Sequence, residues 1–290
     1  MPPPIPVVPK RAATSAPFYG CPPQLAEPGG AQSWITRAAN LVVTVSKVEA
    51  GAVLERKADT DEYLLALPPG LRARVQTFGD KPEVLDASGD SLTIIPPGHT
   101  SVTLLDGGTV TRVFSTAATD LLVLASNADI YTDGAAEVTP LPPVQMPADG
   151  WRLRHYRLAE YSDPAFFARS FRSNRLMINF FDRSIQRRDP HKLTPHSHDD
   201  HEQISLALEG NYVHHLRTPW TPDISTWRED QHVELGSPSA MVIPAGLIHT
   251  TQDVGEGTTW LVDVFAPPRK DFLGMPGFVR NASEYPAAGA

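Results

Sequence analysis

Cysteine is almost missing from this chain of 290 residues: Cys21 stands alone. A single thiol excludes an internal disulfide and any zinc or iron–sulfur centre built on several thiolates. It lies in the turn-like stretch "YGCPPQ" and is read as an incidental residue rather than a nucleophile. No apolar run is long enough to span a bilayer. Positive charge is also in short supply, with 25 Lys and Arg against 33 Asp and Glu, a net charge of −8 and no basic stripe. Phosphate backbones need a basic surface, so no nucleic-acid partner and no membrane association are expected. The opening segment "MPPPIPVVPKRAATSAPFYGCPP" lacks the charged start and unbroken apolar stretch of a secretory signal. A cytoplasmic, water-soluble protein is therefore expected, in which the sequon at Asn281 carries no consequence.

Proline is what the chain has in excess, 29 in all, and two clusters punctuate it. Proline cannot donate to a sheet ladder and restricts the residue before it, so neither cluster can hold a central strand or a long helix. The expected organisation is a proline-rich extension over 1–34, a first β-domain over 35–133, a proline-rich linker over 134–150, a second β-domain over 151–275 and a tail over 276–290. Short β-prone runs bounded by turn residues fill both domains: "LVVTVSKV", "EYLLALP", "RVQTF", "SLTIIPPG", "SVTLL", "VTRVFS" and "DLLVLAS" in the first, "LMINFF", "EQISLAL", "NYVHHL", "SAMVIPAG" and "TWLVDVFA" in the second. Their spacing predicts an all-β sandwich or barrel in each half. One helix is expected, over "DPAFFARSFR", and the segment "PPRKDFLGMPGFVRNASEYPAAGA" reads as a surface-packed extension with a frayed end.

The two halves repeat one another. Glu62 opens "EYLLALPPG" and Glu202 opens "EQISLALEG", with Gly70 and Gly210 at the same offset. Further on, "IIPPGHTSV" matches "VIPAGLIHT", pairing Pro96 with Pro244 and Gly98 with Gly246, and "TRVFS" matches "VDVFA". Blocks recurring in the same order indicate a duplicated β-domain.

Chemistry concentrates in the second copy. His196 and His198 are two residues apart and so share one face of an extended strand. A turn through "DDH" leads to Glu202 and can bring a carboxylate beside them, and His249 follows the turn "PAGL". Three imidazoles and one carboxylate make a site for a divalent metal. The pattern resembles the cupins, whose first motif is HxH, three residues and Glu, followed by a glycine, and whose second is PxGxxH; here these are His196, His198, Glu202 and Gly210, then Pro244 to His249. The resemblance implies two tandem double-stranded β-helix (jelly-roll) barrels, a bicupin with few short helices, with His196, His198, Glu202 and His249 as metal ligands. In the first half Arg56 and Ala58 stand in the histidine positions and Ser101 replaces His249, while His99 falls out of phase. The first barrel is therefore expected to bind no metal, with Glu62 facing an arginine position.

The resemblance also implies a metal-dependent enzyme acting on a small organic acid or carbonyl compound. An Fe(II) dioxygenase is the first reading; a Zn, Mn or Ni isomerase, lyase or decarboxylase, or a non-catalytic small-molecule-binding cupin, is the alternative. One divalent metal per chain is expected, and a homo-oligomer through the proline-rich arm. Around the metal, His201 and Gln203 are read as rim or surface groups, at most one of His214 and His215 as facing inward, and Asn179, Phe181 and Asp263 as candidate substrate contacts.

Overall fold

The computed structural model describes residues 7–27 and 29–285, so residues 1–6 of the expected extension and 286–290 of the expected tail lie outside the described residues. Apolar alternation builds strands almost everywhere, and the only α-helical turns among the described residues are Thr119–Leu122 and Lys270–Leu273. Two large sheets and two small ones result, the large ones lying back to back across the middle of the molecule.

The first barrel combines a seven-stranded sheet, in which Ser91–Ile95, Tyr63–Leu67, Gly108–Ser115 and Leu41–Val48 run side by side, with a four-stranded sheet containing Val53–Asp59 and Gly98–Leu104. The second combines a six-stranded sheet of Thr14–Pro17, Ser239–Ile243, Gln203–Glu209, Trp260–Phe265, Met177–Phe180 and Arg169–Arg172 with a three-stranded sheet of Gln231–Leu235, Asn211–Arg217 and Ile248–Val254. This is the all-β, two-barrel architecture expected. Each half also lends the other a strand. Thr14–Pro17 pairs antiparallel with Ser239–Ile243 of the second barrel, and Arg154–Arg157 pairs antiparallel with Ser91–Ile95 of the first. The sequence boundaries at 35 and 151 are therefore not the boundaries of the sheets.

The interior explains the pairing. Trp34, Val43, Leu64 and Val113 from one large sheet and Ile178, Ile204, Leu206 and Val262 from the other form one buried apolar cluster, so the outer faces of both sheets are interior to the molecule. Strands covered on both faces read as continuous apolar runs rather than alternating ones, as Tyr63–Leu67 and Ser239–Ile243 do, each buried at every residue.

Three local expectations are corrected. "DLLVLAS" is no strand: Thr119–Leu122 makes a helical turn that buries Leu121, while Val123 is 76% exposed and finds no sheet edge. "DPAFFARSFR" is no helix: Arg169–Arg172 is a strand paired with Met177–Phe180 and buried at every position. The segment after the last strand is not a frayed surface extension up to residue 285, because Phe278, Asn281 and Tyr285 are all buried. The linker 134–150 carries neither strand nor helix. It is tied down on both sides: the Thr139 N–H donates to the Asp200 carbonyl and its own carbonyl accepts from the Asn40 amide.

Candidate metal centre

Two backbone features bring the histidines together. His196 and His249 form an isolated antiparallel bridge, each N–H donating to the other's carbonyl at 3.1 and 2.8 Å, which sets their side chains next to one another. The turn Pro244–Leu247 places Gly246 in the left-handed region at φ +82°, and its N–H donates to the His198 carbonyl at 2.7 Å. A residue with a β-carbon is disfavoured there. The rings of His196, His198 and His249 then lie with centroids 4.5 to 5.2 Å apart. One nitrogen from each falls within 4.8 Å of the others.

The ring orientations suit a cation. His196 Nδ1 donates to the Thr194 carbonyl at 2.9 Å and His249 Nδ1 to the Leu247 carbonyl at 3.0 Å. A carbonyl can only accept, so Nδ1 carries the proton and Nε2 keeps its lone pair. The His249 Nε2 is buried without a hydrogen-bond partner among the described residues. Burial, then the Arg269 guanidinium and the neighbouring imidazoles, pushes His198 down to about 2, and burial pushes His249 down to about 4. Imidazole nitrogens brought together in this way are the donor set that borderline divalent metals take, so these three residues fit the group the sequence implies.

Glu202, expected as the carboxylate ligand, is not in the cluster. The strand Gln203–Glu209 turns Gln203 and Ser205 inward, and Glu202 one residue earlier faces the first barrel. Its carboxylate accepts from the Ala39 N–H at 2.6 Å and the Tyr131 hydroxyl at 2.9 Å, and pairs with Arg11 at 3.2 Å. Glu62 does the same in mirror fashion: it accepts from the Asn174 N–H and the Tyr285 hydroxyl, each at 3.0 Å, with Arg154 at 3.7 Å. Both carboxyls are pushed up by burial, Glu62 to about 7. The motif glutamate is thus the scaffold's clamp between halves. Its survival in the half without the motif histidines was the signal that sequence reasoning could have used.

The amide of Gln203 occupies the place expected for the carboxylate, with Oε1 at 3.1 Å from His198 Nε2. Arg269, unremarked in the sequence, brings a guanidinium nitrogen to 3.4 Å from the same Nε2 and stacks over Phe272 at 3.8 Å. His201 is half-buried, its ring stacked on His198 at 4.4 Å with Nδ1 held by Asp200. His214 faces inward, bonded to Thr251, whereas His215 faces outward to His232. His196, Gln203 and His249 open onto a cavity of about 680 Å³ walled by Phe167, Phe181, Phe265 and Phe272, with Asn179, Asp263 and Arg188 also on its lining.

Among the described residues, bulky side chains fill the corresponding positions of the first barrel. Tyr63 stands where Gln203 does and Leu65 where Ser205 does, and Tyr63 stacks on Phe114 at 4.8 Å. The register sets Glu55 rather than Arg56 opposite Ser101, the counterpart of His249. Arg56 does not face Glu62: it pairs with Asp59 and Asp120.

No family model matches the sequence and no curated protein does. Solved structures do. An oxalate decarboxylase of Lactobacillus farciminis in complex with formate aligns at 13% identity and a TM-score of 0.59, over 88% of this chain and 86% of its own. An oxalate decarboxylase of Bacillus subtilis studied for its Mn(II) centres aligns at 14% identity and a TM-score of 0.56, over 92% of this chain and 82% of its own. At such identities the likeness speaks for the fold, and the chain has the two-barrel fold of the bicupins.

Proposed function

We propose that the second barrel is the metal centre of an enzyme acting on an organic acid, and that a decarboxylation or related lyase reaction is a better reading than the Fe(II) dioxygenase expected from the sequence. The observation that carries the proposal is the convergence of one nitrogen from each of three imidazoles beside a cavity walled by phenylalanines, with a cation at its edge. With Gln203 in place of a carboxylate, every protein donor near the metal is neutral, so a divalent ion there keeps its full charge and favours an anionic substrate. The relatives in fold are oxalate decarboxylases, one of them studied for its Mn(II), which supports the decarboxylase reading over the oxygenase one.

When bound, the metal supplies Lewis acidity toward a substrate carboxylate. The chain supplies the rest. The Nδ1 bonds to Thr194 and Leu247 fix the imidazole planes, as outer partners of ligating histidines do. Arg269 is held by Asp271 at 2.6 Å and by the Phe272 ring, so its charge is presented at the cavity edge at little cost in ordering. The phenylalanine walls exclude water and strengthen both electrostatic contacts.

Metal analysis of freshly purified protein comes first. Reconstitution with Mn(II) or Fe(II) should then give release of carbon dioxide from a panel of oxo, hydroxy and dicarboxylic acids without stoichiometric oxygen uptake. Oxygen consumed mole for mole with substrate would overturn the decarboxylase reading in favour of the oxygenase. His198→Ala should lose the metal and at least about a hundredfold in activity.

A further inference from the structure

Deeper in the same barrel lies a polar row with no part in the reading above. Asn179, Asp263 and Ser205 stand directly opposite one another on three neighbouring strands, so their side chains share the inner face. Asp263 is buried, its Oδ1 accepting from the Ser205 hydroxyl at 2.6 Å, and Ser205 in turn accepts from the Gln203 amide at 2.8 Å. Asn179 is only 2% exposed, yet its Oδ1 has no hydrogen-bond partner among the described residues. Both Asn179 and Asp263 line the cavity that the histidines open onto. A buried amide left unpartnered destabilises the fold that holds it. Its presence on the lining of a cavity is explained by a ligand that completes it.

The strand fixes how far that row is from the metal. Gln203 and Phe265 pair across the same two strands as Ser205 and Asp263, two residues nearer the histidines. Two residues of strand span about 7 Å. Phe265 stands in the nearer row and Phe181 one step beyond the polar one, and the cavity of about 680 Å³ is large for a two-carbon acid.

Resting on the reading of the cavity as an organic-acid site, we propose that this row is its second polar anchor and selects an aromatic acid bearing a hydroxyl about 7 Å from its carboxylate. The hydroxyl donates to the unpartnered Asn179 Oδ1 beside Asp263, the carboxylate lies toward the metal and Arg269, and the ring lies across the cavity between them.

Calorimetric titration of the full-length, Mn(II)-loaded protein with 4-hydroxybenzoate and with benzoate tests this. Wild type should prefer 4-hydroxybenzoate by about tenfold, the factor expected of one net hydrogen bond. Asn179→Leu, similar in volume, should bring the two acids to near parity with unchanged metal content and an unchanged or raised melting temperature, since the amide satisfies nothing in the protein. Asp263→Asn, which keeps an acceptor for Ser205, should also reduce the preference and serves if the leucine variant does not fold. If both acids bind wild type equally, or the preference survives both substitutions, the polar-row assignment is overturned while the organic-acid reading stands. If neither acid binds, the aromatic-acid assignment is overturned, and carbon dioxide release from the wider panel of acids decides the organic-acid reading separately.

Discussion

At the scale of single residues, the difference between Glu202 and Gln203 is one step of strand phase, and that step decides whether a side chain belongs to the chemistry or to the scaffold. Glu202→Ala removes the acceptor for Ala39, Tyr131 and Arg11, and leaving these buried donors unpaired should cost about 2–4 kcal/mol in unfolding free energy. Its metal content, read by plasma emission, should stay at the wild-type value. Loss of metal with stability intact would restore Glu202 to the ligand set. The twin carboxyl Glu62 adds a pH signature. Its pKa is raised by burial to about 7 from an ordinary 4.5, so the folded state holds its proton more tightly than the unfolded one. The stability it contributes is complete below about 4.5 and is lost as pH rises to about 7, by at most about 1.4 kcal/mol per pH unit. Wild type should therefore lose stability relative to Glu62→Gln between pH 5 and 7 in denaturant titrations. A constant difference across that window would count against the raised pKa.

The histidines were legible because alternation and a turn motif are local signals, readable without the fold. The direction of Glu202 was not, because HxH followed by an acid fixes spacing but not the residue at which the strand begins. Arg269 escaped notice for a related reason: it belongs to no motif and reaches His198 only through the course of the chain after the last strand.

At the scale of elements, the turn Pro244–Leu247 is the piece on which the centre depends. A β-carbon at Gly246 would meet the Val7 carbonyl oxygen at 2.7 Å, and φ +82° is itself unfavourable for other residues. Gly246→Ala should cost about 1–3 kcal/mol and weaken metal binding in the same variant, because the Gly246 N–H anchors the His198 carbonyl. Thermal melts alongside a metal titration check both; reduced stability with unchanged metal affinity would separate the turn from the site. Most strands were readable as elements, Leu41–Val48 residue for residue. Those that were misread share a cause. "DLLVLAS" is a short apolar run that either element can accommodate. Arg169–Arg172 buries two arginines whose partners come from distant parts of the chain: the Asn281 amide holds the Arg172 backbone on both sides, as Asn127 holds Arg37 in the first half.

At the scale of the whole molecule, the shared core and the lent strands tie the barrels into one cooperative unit. Residues 1–140 and 141–290 expressed apart should be poorly folded, since each lacks an edge strand and exposes one face of the common cluster. Co-expressed, they should associate and recover the metal site, as followed by size exclusion and metal content. Two separately folded, monomeric halves would refute this. The limited chemistry of the first barrel also belongs to this scale. Its interior is filled by Tyr63, Leu65 and Phe114, where the second keeps Gln203, Ser205 and Phe265 around a cavity.

The paired clamps, Glu62 with Asn174 and Tyr285, Glu202 with Ala39 and Tyr131, amount to one contact made twice about a pseudo-twofold axis. That is the pattern an isologous dimer with exchanged arms has by symmetry, and here a single chain contains both subunits. Once joined through residues 134–150, the subunits meet at an effective concentration set by the tether rather than by expression level. Identity between them is then no longer required, which lets one barrel carry the histidine cluster and the other serve as its permanent partner.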